Sequence, residues 1–263
     1  MDLTAVIFDV DGTLAQTERH GHRVAFNKAF EELGLPDRWD EQLYGELLRV
    51  TGGVRRLVHY FTNYQGMEEE KAQHLAEQIH PLKTQLFLEL VDGGEVPPRP
   101  GALRLLKQLG EEGIRLGVAT TGTRGWVLPL MDQLTKMGQL HGFETTITGD
   151  DVTNRKPDPE AFVLALERLG AQARDALIVE DSKNGVAAAK GASCCCLAVR
   201  GEYAKAADLS NADLVVDEFG EPDSPLQVLD NPFGVEVGPM LTPAVLKDLH
   251  ARWLRKQAAG TDL

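Results

Sequence analysis

An apolar run that ends in two aspartates constrains this chain more than any other feature. Residues 3–8 read Leu-Thr-Ala-Val-Ile-Phe, and Asp9-Val10-Asp11-Gly12-Thr13-Leu14 follows. A short apolar run bounded by turn chemistry predicts a buried parallel strand. Asp9 then stands at its carboxyl end, where open α/β sheets bind ligands. Asp9 and Asp11, two residues apart, repel each other unless a cation joins them. An Asp-Gly pair alone also reads as an ordinary turn. Three later strand ends with complementary chemistry weigh against that reading.

After Leu14 the strand pattern stops. A helix is expected from about Thr17-Glu18, with Ala25, Phe26, Ala29, Phe30 and Leu33 on one face and Gly34 as its stop. Leu43, Leu47 and Val50 continue helically, and Thr51-Gly52-Gly53 breaks the chain. Leu75, Ile79, Leu82, Leu86 and Leu90 mark one long amphipathic helix. Residues 16–95 therefore predict a helical insertion. Asp92-Gly93-Gly94 and Pro97-Pro98-Arg99-Pro100-Gly101 close it with a stiff, turn-rich hinge. Beyond the hinge, helices at 102–110, 125–137, 159–169 and 184–190 alternate with strands at 114–119, 144–148, 176–180, 194–199 and 213–216. That alternation implies an α/β fold with a doubly wound, Rossmann-like parallel sheet built from residues 1–15 and 96–221. The insertion after the first strand is expected to cap the carboxyl edge. Residues 222–263, with Pro222, Pro225, Pro232, Pro239 and a helix at 243–257, read as a peripheral extension.

The 263 residues suit a core with a smaller partner domain, and no apolar run approaches the ~20 residues of a membrane span. A net charge of −13 argues against nucleic acid or an anionic membrane as partner. Any positive charge that handles an anion must therefore be placed locally. Cys194-Cys195-Cys196 fall in a predicted strand, where alternate side chains face opposite ways, so they read as buried thiols of a reducing compartment. The first strand begins almost at once, so a cytoplasmic location is expected, or the chloroplast stroma if a transit peptide has been removed. The default expectation for assembly is a monomer.

The other strand ends supply the complementary groups. Thr120-Thr121-Gly122-Thr123 ends the strand at 114–119 and leads into a helix. It suits a phosphate held by hydroxyls and backbone N–H groups, and it equally suits a plain helix-capping turn. Arg155-Lys156-Pro157-Asp158-Pro159 is a proline-stiffened loop before a helix, with Asp158 as a cap. Residues 176–180 form an apolar strand that ends in Glu180-Asp181, a pair of oxygen donors suited to magnesium.

In their order along the chain, these four sites resemble the motifs of the haloacid dehalogenase-like hydrolases. The resemblance implies that Asp9 is the nucleophile and Asp11 the general acid/base. It makes Thr120 the hydroxyl that bonds the transferring phosphoryl group, and Lys156 the cation that neutralises nucleophile and phosphate. Asp9, Asp11, Asp181 and Glu180 would form the magnesium site, with Glu180 binding directly or through water. Family dehalogenases lack the second acid, so Asp11 implies phosphoryl chemistry.

The insertion should select the substrate. Glu18 and His22 share a helix face at i,i+4. Gly52-Gly53-Val54-Arg55-Arg56 offers backbone N–H groups and two guanidinium groups, and His80 and Lys83 lie at i,i+3. A basic cluster on an acidic chain suggests a second, non-reacting phosphate. Residues 17–27 and 43–48, Gly52-Gly53 and His80-x-x-Lys83 are similar to the CbbY-type xylulose-1,5-bisphosphate phosphatases, which are associated with carbon fixation by Rubisco. That similarity implies substrate contacts at Glu18, His22, Gly52, Gly53, Arg55, Arg56, His80 and Lys83, and at Thr120, Thr121, Gly122, Thr123, Arg124 and Trp126. Residues 121–124 depart from the group's Ser/Thr/Asn-rich loop. Competing expectations are a β-phosphoglucomutase-like mutase, a general sugar-phosphate or phosphoglycolate phosphatase, and a non-enzymatic sugar-phosphate binder.

Overall fold

The computed structural model describes residues 2–50 and 52–260. The chain divides into two compact units, one formed by residues up to Gln16 and from Pro98 onward, the other by Thr17–Pro97.

The first unit is built on a seven-stranded sheet of order β3-β2-β1-β4-β5-β6-β7. The strands are β1 (Ala5–Phe8), β2 (Arg115–Ala119), β3 (Thr145–Ile147), β4 (Ala176–Glu180), β5 (Cys195–Val199), β6 (Leu214–Val216) and β7 (Val228–Asp230). The first six run parallel, and β7 joins β6 antiparallel. Strand β1 is buried throughout, as a parallel strand covered on both faces must be. Register then places the chemistry. Phe8 pairs with Val118 on one side and Val179 on the other. The next residues out of the sheet, Asp9, Ala119 and Glu180, thus emerge side by side at the carboxyl edge.

Within Thr17–Pro97 the chain opens on a π-helical turn, Thr17–His22, and continues as α1 (Arg23–Glu32). Helices α2 (Glu41–Leu47), α3 (Gly53–Asn63) and α4 (Glu69–Asp92) follow. Their core joins Phe26, Phe30, Trp39, Tyr44, Phe61 and Phe87, all buried. The expected chain break at 51–53 is a helix start. Gly52 takes φ 93°, a left-handed conformation that favours glycine, and α3 begins at Gly53. Thr51 lies outside the described residues.

The first unit resumes with α5 (Ala102–Glu111), α6 (Arg124–Gly138), α7 (Glu160–Leu169) and α8 (Lys183–Gly191) between the strands. The expected peripheral tail proves to be part of this unit. It supplies β7 and α9 (Pro243–Gly260), and Leu246, Leu249 and Trp253 of α9 are buried. Strand β7 is only three residues long, too short for a period-2 signal, so the prolines around it dominate the sequence pattern. Cys194, Cys195 and Cys196 are buried and free, and burial pushes the Cys194 thiol up to about 12. No described helix is long and apolar enough to cross a membrane.

Candidate active site

Asp9 leaves β1 with its backbone N–H donating to the Val179 carbonyl (3.0 Å). Lys156 arrives from the loop before α7, and its side chain is only 4% exposed. Its Nζ donates to Asp9 Oδ1 (2.6 Å), Glu180 Oε1 (2.5 Å) and the Ala119 carbonyl (2.9 Å). A lysine this deep stays charged only when paired. Burial alone would lower its pKa, but the Asp9 and Glu180 carboxylates outweigh burial and raise it.

Glu180 is fully buried. Its Oε2 accepts from the Asp181 N–H (3.0 Å), the Ser182 N–H (3.3 Å) and the Ser182 hydroxyl (3.2 Å). It fits beneath the start of α8 because residue 185 is glycine: a Cβ there would lie 1.8 Å from the Glu180 carboxyl carbon. Carboxylate oxygens of Asp9, Glu180 and Asp181 lie within 4.8 Å of one another. Asp11 is half-buried and is not part of this group. The loop it stands on is tight, with the N–H groups of Thr13, Leu14 and Ala15 all donating to the Val10 carbonyl.

Three clustered carboxylates face one lysine. Burial, with Glu180 and Asp11 as neighbouring acids, pushes the Asp9 carboxyl up to about 8 even though Lys156 opposes it. Burial, Glu180 and Asp9 likewise push Asp181 well above the usual carboxylate range. This excess of negative charge on oxygen-only donors fits a hard divalent cation such as magnesium. Lys156 already occupies Asp9 Oδ1 and Glu180 Oε1.

Thr120 follows β2 and is fully buried, with Oγ1 accepting from the Gly122 N–H (3.1 Å). Gly122 lets the Trp126 ring lie close against the loop: a Cβ there would stand 2.1 Å from it. Arg124 donates its backbone N–H to Asp150 (2.8 Å) and its guanidinium to Asp151 (2.6 Å). Its charge is therefore already balanced within the loop. Thr121 is half-buried and Thr123 is exposed.

The second unit gathers most of the basic residues expected of it. His22 Nδ1 and Lys83 Nζ lie 2.9 Å apart, and the ammonium stands over the rings of Phe26 (5.0 Å) and Phe87 (5.1 Å). Because the ammonium can only donate, Nδ1 must accept. Glu18 accepts a short hydrogen bond from the Tyr44 hydroxyl, which accepts in turn from Arg56 (3.2 Å). The His80 ring fills the space beside Gly53, where a Cβ would meet it at 2.6 Å. Arg55 and Arg56 do not act as a pair. One helical step turns Arg55 to solvent while Arg56 is buried over the Tyr44 ring.

Two participants escaped the sequence reading. Tyr44 links Glu18 to Arg56, and its buried helix face was the available signal. Arg99 read as part of a proline hinge, yet its guanidinium is buried behind the Asp11-Gly12 turn and donates to the Gly12 carbonyl (2.6 Å). No periodicity marks it.

A parallel sheet that gathers an aspartate, a buried lysine and paired acids at its carboxyl edge holds groups suited to handling a phosphate ester. Residues 6–199 match the sequence profile of the haloacid dehalogenase-like hydrolases, and the chain belongs to that family. The chain is 38% identical over 226 residues to the CBBY-like protein of Arabidopsis thaliana, covering 83% of this chain and 70% of that one. It is 37% identical to the plasmid-encoded CbbY protein of Cupriavidus necator, covering 85% and 89%. Crystal structures of CbbY from Rhodobacter sphaeroides match it with a TM-score of 0.69 at 37% identity, covering 82% of this chain and 94% of that one. One holds phosphate, and another, of a variant, holds xylulose 1,5-bisphosphate. Family and relatives together make this chain a phosphatase.

Proposed function

We propose that this phosphatase is magnesium-dependent and acts on a sugar bisphosphate, with xylulose 1,5-bisphosphate its preferred substrate. In a carbon-fixing cell it would thereby remove an inhibitory by-product of Rubisco. The observation that carries the chemistry is the contact of Asp9 with Lys156, inside a cluster of carboxylates at the sheet's carboxyl edge. Similarity to a CbbY protein crystallised with xylulose 1,5-bisphosphate supports the substrate.

In this reading Asp9 attacks phosphorus and becomes an aspartyl-phosphate. Asp11 protonates the departing sugar oxygen, then takes a proton from the water that hydrolyses the intermediate. Lys156 and Thr120, with the N–H groups beside it, meet the charge on the phosphoryl oxygens. A magnesium ion held by Asp9 and Asp181, with Glu180 as a further ligand, would neutralise the carboxylates and draw charge from the phosphoryl group. Glu18, His22, Gly52, Gly53, Arg55, Arg56, His80 and Lys83 recognise the rest of the sugar, including the phosphate that is not transferred. Residues 121–124 complete the phosphate loop.

The test is phosphate release from xylulose 1,5-bisphosphate, ribulose 1,5-bisphosphate, glucose phosphates and phosphoglycolate, with and without magnesium. Magnesium-dependent release with strong preference for xylulose 1,5-bisphosphate is expected, and Asp9→Asn should cut turnover by at least ~10³-fold. Equal turnover of monophosphates would overturn the substrate reading. An isomerised product without free phosphate would replace it with a mutase.

A further inference from the structure

Arg99 is the second residue of the first unit after the chain returns from Thr17–Pro97. Its side chain is 1% exposed. Nη1 donates to the Gly12 carbonyl (2.6 Å), and both Nη atoms reach the Arg200 carbonyl (3.3 Å). Nη2 also donates to the Asp217 carbonyl (2.9 Å), and Nε donates to Glu218 Oε2 (3.0 Å). One guanidinium thus gathers three backbone carbonyls and one carboxylate from three separate stretches of chain. A fork of fixed geometry does this, and a point charge cannot.

What these stretches enclose gives the contact its meaning. Gly12 has φ +76°, and a Cβ on it would meet Asp181 Oδ2 at 2.2 Å. A Cβ on Gly201 would meet the same oxygen at 2.2 Å. The Asp181 carboxylate therefore lies between two bare backbone walls, and Arg99 binds the carbonyl of Gly12 and the carbonyl of the peptide leading into Gly201. Arg99's own N–H donates to the Leu14 carbonyl (2.9 Å), which fixes the fork to the loop that carries Asp11.

We propose that Arg99 is a positioning residue for the cation site: by tying the Gly12 and Gly201 walls together it presets Asp181 for a divalent ion. The assignment rests on the magnesium-dependent reading above. It reaches beyond the site's own donors to a residue that touches neither cation nor substrate.

Magnesium affinity measured by titration calorimetry, without substrate, tests it. Arg99→Lys keeps a positive charge but cannot hold both walls. Its dissociation constant for magnesium should rise about 10–100-fold, the range typical of residues that orient ligands. At saturating magnesium, kcat on xylulose 1,5-bisphosphate should recover most of its loss. A folded Arg99→Lys protein with wild-type magnesium affinity, even with a lowered Tm, would overturn the assignment and leave the phosphatase reading standing. Wild-type protein that binds no magnesium would overturn both. If Arg99→Lys does not fold, Glu218→Gln decides: it loosens the fork at one bond, so a weaker magnesium affinity supports the role and an unchanged one refutes it.

Discussion

At the scale of single residues, Asp9 is the most informative group. The folded protein holds the Asp9 proton up to about 8, whereas an unfolded chain releases it near 3.8. Between those values the folded state binds more protons, so stability falls as pH rises. Asp181 acts in the same direction, while the raised Lys156 stays charged on both sides of folding across this range. Without divalent cation, Tm should therefore decline from pH 5 to pH 8. Magnesium should restore it most at pH 8, where it has fewer protons to displace than at pH 5. Asp9→Asn should flatten the cation-free profile. A flat wild-type profile in thermal scans would contradict the balance of charges described. Much at this scale was legible in advance. Asp9 and Glu180-Asp181 stand out at the ends of apolar runs, Lys156 stands out only through its place in the ordered set of motifs, and the fold brings the four side chains together. Arg99 does not stand out, because its partners are backbone carbonyls more than 80 residues away in sequence. The contrast between Arg55 and Arg56 was partly legible. Leu57, Tyr60 and Phe61 set the phase of α3, and that phase turns Arg56 inward.

At the scale of elements, periodicity did most of the work. Strands buried on both faces read as apolar runs, and the α/β alternation fixes their direction. The exceptions are short or irregular pieces. The π-helical turn at Thr17–His22 has no sequence signature, and β7 owes its place to pairing with β6 rather than to its own residues. Its service is to cover an edge of the sheet. With β7 comes α9, which packs on α5 and β4. Ending the chain at Glu221 would expose the surfaces that Leu246, Leu249 and Trp253 cover. At roughly 1.5–3 kcal/mol per fully buried side chain, Tm should drop by about 10 °C or more. Differential scanning calorimetry of the shortened protein reads this directly, and an unchanged Tm would make the extension dispensable.

At the scale of the whole molecule, a few of the acidic chain's 27 lysines and arginines stand in sheltered positions. Lys156 and Arg99 serve the first unit, and Lys83 and Arg56 the second; all four are buried against carboxylates, carbonyls or aromatic faces. Net charge in the sequence implied that such placement must exist, and only the fold says where it falls. If Lys83 grips the second phosphate, Lys83→Met should raise KM for xylulose 1,5-bisphosphate about 10-fold or more. Hydrolysis of a monophosphate should change little. Steady-state kinetics on the two substrates separates these outcomes, and equal losses on both would move Lys83 to a structural role.

The run Cys194-Cys195-Cys196 also has a practical meaning. Three thiols at the start of the interior strand β5 are shielded from reagent and held protonated while the sheet stays closed. Under native conditions, their alkylation is therefore gated by opening of the sheet around β5. The chain carries its own chemical clock for that event, read by mass spectrometry without an added label, and cation or substrate binding can be timed against it.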